Sequence, residues 1–160
     1  MTDEAKKAAA LAAYQTLCDA LDAEKWKYEK HPEDLVVTCS ARGDDLPIDL
    51  MITVDEERLM ARLFSKLPMT VPEDKRVDMA VAVSVANYGM VHGCFDYDFA
   101  EGHVFFRITN AIRGCTLSQK AWMYLVFCAC TTIDNYNDKL LMLSKGMIDI
   151  EKFVALENQN

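Results

Sequence analysis

The chain has 160 residues, a net charge of −8 and 51% apolar residues. That length buries one core without help from metals or disulfides, so a single domain over residues 1–160 is expected. The acidic balance and the absence of a basic cluster argue against nucleic acid and against an anionic membrane surface as partners.

Residues 3–23 have helical spacing, with Ala8, Leu11, Cys18 and Leu21 on one side and Thr2 or Asp3 as cap. The face is rich in alanine, which permits close approach but buries little. Trp26 and Tyr28 alternate with Lys25, Lys27 and Glu29 as a short strand that Pro32 stops. Residues 35–42 alternate with Leu35, Val37, Cys39 and Ala41 on one face, and Gly43-Asp44-Asp45 turns the chain. Residues 46–54 place Ile48, Leu50, Ile52 and Val54 together, and residues 58–66 place Leu59, Ala61 and Leu63 inward. These segments read as an antiparallel meander.

Pro72-Glu73-Asp74 opens a second helix, for which Val77, Ala80, Val81, Ser84, Val85 and Tyr88 form the expected buried stripe. Strands over 93–99 and 103–112 follow, joined by a turn at Ala100-Glu101-Gly102. A long helix begins near Leu117, capped by Thr116 or Ser118, and closes at Gly146; a last short helix spans 150–156. The stretch 120–133 of the long helix is apolar on nearly every side and too short to cross a bilayer, so it needs two apolar partners. Ala121, Leu125 and Cys128 are expected to meet the sheet. Trp122, Val126 and Ala129 are left for the first helix or for a second subunit. The order of elements is α+β, with helices packed on an antiparallel sheet.

The order of several local signatures resembles the YbjN-like family, whose fold is shared with type III secretion chaperones. They are Trp26-x-Tyr28, the strand end Phe64-Ser65-Lys66-Leu67-Pro68, Ala86-Asn87, and the hairpin from Phe95 through Tyr97-Asp98, Gly102, Val104 and Phe106-Arg107. Thr132-x-Asp134-x-Tyr136 before Gly146 completes the set. The resemblance covers roughly residues 5–155 and implies an α-β-β-β-α-β-β-α sandwich, often dimeric, in adaptors or regulators. It carries over no catalytic residue.

The candidate chemistry is sparse. Six cysteines lack any C-x-x-C spacing and read as reduced, buried thiols of a cytoplasmic protein, and the N-terminal Asp3 and Glu4 do not suit a signal peptide. Asp96, Asp98 and Glu101 could hold a hard cation, but a solvated hairpin face is the simpler reading. His92, His103 and Cys94 could meet at the hairpin, though no fourth metal ligand is evident. Arg107 is expected to form a structural ion pair with Asp134 or Asp138 on the long helix. Arg42-Gly43-Asp44 reads as a turn. No nucleotide-binding or hydrolase motif occurs, so no cofactor, metal or catalytic residue is expected.

Met51, Met60 and Phe64 fall on the sheet face away from the core stripe. Uncovered by a helix, they would form a partner site. The expectation is therefore a non-enzymatic, homodimeric binding or adaptor module that acts on protein or peptide. The alternative is a ligand or enzyme site on the 93–112 hairpin around Asp96, Asp98, His103 and Arg107.

Overall fold

A computed structural model describes residues 1–158. The elements run α1 (Asp3–Ala23), β1 (Tyr28–His31), β2 (Val36–Arg42), β3 (Pro47–Asp55), β4 (Met60–Lys66) and α2 (Arg76–Tyr88). β5 (Cys94–Asp98), β6 (His103–Ala111), α3 (Gln119–Ser144) and α4 (Ile150–Glu157) follow. The strands form one antiparallel sheet in the order β1-β2-β3-β4-β6-β5. β1 and α4 are additions to the α-β-β-β-α-β-β-α core of the expected order.

Period-2 alternation fixes the inner face. Val37, Ile48, Leu50, Ile52, Val54, Ala61, Leu63, Val104, Phe106 and Ile108 are all buried there. Two tight turns carry leucine in the left-handed region, Leu35 and Leu59, each with φ 53°. Such a conformation costs about 1–2 kcal/mol. Each turn gains a cross-strand bond in return: the N–H of Val54 donates to the Leu35 carbonyl at 3.0 Å, and that of Ile112 to the Leu59 carbonyl at 2.8 Å. The Leu59 side chain is also fully buried.

The helices start where short polar side chains can satisfy free backbone N–H groups. Thr2, Ser118 and Asp149 accept from the N–H of Ala5, Ala121 and Lys152. α3 packs against α1, α2 and strands β3, β4 and β6. Its stripe Trp122, Val126, Ala129 and Ile133 is sealed inside the chain. Of the two coverings left open for Trp122, Val126 and Ala129, the one within the chain is present, because α1 and the strands cover α3; this corrects the alternative in which they offer a surface to a second subunit. The large apolar side chains that stay exposed on α3 are Tyr124 and Phe127. Trp26 packs edge-on against Phe127 at 6.3 Å and His92 against Tyr124 at 5.4 Å.

The stripe expected to be buried on α2 is also corrected. Met79, Ala82, Val83 and Ala86 are the buried residues, whereas Val77, Val81 and Tyr88 are exposed, Tyr88 at 95%. α2 is apolar on two sides, and the side that wins is the one that meets α4, β5 and α3. α4 is held by the buried Phe153 and by Lys139, whose ammonium contacts the Glu157 carboxylate at 2.5 Å and lies 4.5 Å over the Tyr136 ring. Burial, with Glu157 beside it, pushes the Tyr136 hydroxyl up to about 12.

Candidate protein-binding face

The helices cover the inner face of the sheet, and the outer face carries an apolar patch. Met51 is 42% exposed and stands directly opposite Phe64 in the β3–β4 register. Phe64 stacks on Phe105 of β6, with ring centroids 5.0 Å apart. Met60 lies farther along β4, half-buried and paired between Asp55 and Ala111. Met51, Met60 and Phe64 thus share the outer face, as their alternation requires. Phe105 belongs with them and was not expected. Its signal was the Phe105-Phe106 pair, since two adjacent residues of a strand must point to opposite faces.

A groove of about 1230 Å³ opens beside this patch, lined by Met51, Phe64, Leu50, Leu67, Asp49 and Lys66 among others. Lys27 and Glu29 of the β1 side also reach it. The groove therefore joins an apolar strip to a rim of both charge signs.

The hairpin constellation is spread out and already engaged. Arg107 forms a two-point pair with Asp96: Nε donates to Oδ2 at 2.6 Å and Nη2 to Oδ1 at 3.1 Å. This corrects the expected pairing with Asp134 or Asp138. β5 is the immediate neighbour of β6, and the pleat puts Asp96 and Arg107 on the same outer face. The guanidinium holds the Asp96 carboxyl below the usual carboxylate range, with burial opposing it. Arg107 also donates to the Cys94 sulfur at 3.4 Å, while burial pushes that thiol up.

Asp134 instead accepts the backbone N–H of Asp44 at 2.9 Å and so pins the β2–β3 turn. Asp98 accepts the N–H groups of Ala100 and Glu101 at 3.0 and 3.1 Å, as a turn-forming carboxylate does. His103 pairs with Asp98 at the closed end of the hairpin, and Cys94 pairs with Arg107 at the other end. His92 lies against Tyr124. The three candidate zinc ligands are therefore not brought together. Among the described residues no group of three or more His, Cys, Asp or Glu could hold a metal ion.

Burial pushes the thiols of Cys39, which is buried, and Cys130, which is half-buried, each up to about 11. Among the described residues no helix is long and apolar enough to cross a membrane.

No family model and no curated protein matches the sequence. Solved structures do. A chain of the HopA1–SchA chaperone–effector complex aligns with a TM-score of 0.53 at 14% identity, over 81% of this chain and 95% of that one. At that identity the likeness concerns the fold. This chain, an α+β sandwich with a six-stranded antiparallel sheet and helices on one face, has a type III secretion chaperone-like fold.

Proposed function

We propose that this protein is a non-enzymatic adaptor of chaperone-like type, built on a single YbjN-like domain and acting in the cytoplasm through protein–protein contacts. The observation that carries the reading is the uncovered outer face of the sheet, where Met51 and Phe64 line a groove of about 1230 Å³ and Phe105 stacks on Phe64. Small-molecule sites have volumes of roughly 300–1,000 Å³. A larger, open groove beside an apolar strip suits a protein segment. The structural likeness to a chaperone–effector complex supports the same reading.

The protein acts as a homodimer in this account. From Met79 to Phe95 the chain has no Asp, Glu, Lys or Arg, although Val81, Ser84, Tyr88 and Val91 are exposed. Depletion of charge is the compositional mark of an interface centre, and a twofold interface apposes one patch to its own copy.

The test uses Met51→Asp combined with Phe64→Asp, compared with Val81→Asp. The first pair is expected to abolish co-purification of the native partner while leaving the melting temperature intact. Val81→Asp is expected to shift the mass in light scattering from twice 18.1 kDa to 18.1 kDa. An unchanged partner with the first pair, or a monomeric wild type, contradicts the respective claim.

A further inference from the structure

β3 is longer than its pairing with β4. On one side its first residues pair fully with β2, as Arg42↔Pro47, Ala41↔Ile48, Ser40↔Asp49 and Cys39↔Leu50. On the other side, pairing with β4 begins only at Met51↔Phe64. β4 runs on through Ser65 and Lys66, but these pair with β6 alone, as Ser65↔Phe106 and Lys66↔Phe105. The chain after β4 then follows β6. The Leu67 N–H donates to the Val104 carbonyl at 3.0 Å and that of Val71 to the Gly102 carbonyl at 2.8 Å. The sheet therefore forks, with β3 on one prong and β4 with its loop on the other.

The fork opens into the groove, which also extends across β3 to Thr38 and Ser40 of β2 and to Lys27 and Glu29 on the β1 side. Asp49, Leu50 and Met51 form one lip, and Phe64, Lys66 and Leu67 the other. A strand directs its N–H and C=O groups alternately to either side. Along residues 47–50 one side bonds to β2, and the groups on the other side face the fork with no strand beside them among the described residues. Unpaired ladder groups at a sheet edge are a template for an extended backbone. Leu50 and Leu67 are almost fully buried and make an apolar floor, while Met51 and Phe64 lie on the outer face. An inserted strand would set one side chain toward that floor and the next beside Met51 and Phe64. The rim has Lys27 and Lys66 against Glu29 and Asp49, so it favours neither sign of charge.

The outer edge at β5 is less open to such pairing. The Asn87 side chain already occupies the N–H and the carbonyl of Phe95.

We propose that the fork between β3 and β4 receives an extended segment of a partner protein as an inserted strand, with apolar side chains at alternate positions. This rests on the adaptor reading above and assigns its mode of binding.

The test selects random twelve-residue displayed peptides on the immobilised full chain. Selected peptides are then titrated into the isotope-labelled protein, and backbone amide shifts are followed. The proposal expects peptides with apolar residues at every second position, and shifts concentrated at Ile48–Leu50 and Ser65–Leu67. N-methylation of alternate peptide amides is expected to lower affinity roughly tenfold or more, as loss of a backbone hydrogen bond does. Peptides that bind with shifts elsewhere, that tolerate N-methylation, or that fail to enrich at all overturn it. The adaptor reading is judged separately, by cross-linking of a native partner from position 51.

Discussion

The Asn87 carboxamide stands in for a neighbouring strand at Phe95. Its Nδ2 donates to the Phe95 carbonyl at 2.9 Å and its Oδ1 accepts the Phe95 N–H at 2.7 Å. Asn87 lies in the last turn of α2, and Phe95 lies on β5, the last strand of the sheet. One side chain thus fixes a helix end to a sheet edge and occupies that edge at Phe95.

Asn87→Ala leaves a part-buried donor and acceptor of Phe95 unpaired. The expected loss is about 1–3 kcal/mol in denaturant unfolding. Asn87→Asp can still accept the N–H but sets an oxygen against the carbonyl, so it should not restore stability at neutral pH. Equal stability of Asn87→Asp and the wild type would refute this role.

Gly43 and Asp134 form a second cross-chain contact. A Cβ at position 43 would collide with the Asp134 carboxylate and the Leu46 carbonyl oxygen. Gly43→Ala therefore pushes the carboxylate off the Asp44 N–H that it accepts. We expect about 1–3 kcal/mol of destabilisation, the range of strain from overpacking. Asp134→Ala should cost about 1 kcal/mol through the lost hydrogen bond. The double variant should lose less than the sum, because both changes break one contact. Full additivity in a denaturant cycle would contradict the coupling.

The Arg107–Asp96 pair gives a pH dependence of known sign. Asp96 titrates below its ordinary value in the folded protein. Its contribution to stability is thus present above the unfolded value of about 3.9 and is lost as pH falls through the folded value. Both side chains are about two-fifths exposed, at 38% and 43%, so solvent screening keeps the pair near ~0–1 kcal/mol. Carboxyl NMR should show Asp96 titrating at lower pH in the wild type than in Arg107→Gln. Coincident curves would remove Arg107 as the cause.

The strands were legible because one face is buried and the other is not. Ile48, Leu50, Ile52 and Val54 alternate without a break, and a shift of one residue would turn them all to solvent. Helix α2 was not legible in the same way. Val77, Val81 and Tyr88 keep helical spacing as well as Met79, Val83 and Ala86 do. The choice between the two stripes is made by α4, β5 and α3, which lie farther along the chain. Arg107 presented a similar difficulty. Its partner depends on β5 lying beside β6, and Asp134 had an equally plausible charge until the Asp44 N–H claimed it. The fork in the sheet is set by where two ladders stop, and no local pattern encodes that. Of the outer face, Met51, Met60 and Phe64 could be read from alternation; Phe105 had a signal in its pair with Phe106, but its place beside Phe64 needed the β4–β6 pairing.

The central claim is that the outer face of the sheet holds another protein. A photoreactive benzoylphenylalanine at position 51, expressed in the native cell and irradiated, tests it most directly, with position 11 as the exposed control on α1. The account predicts a covalent adduct with a different protein from position 51 and none from position 11. An adduct from position 11 alone, or none from position 51, would contradict it.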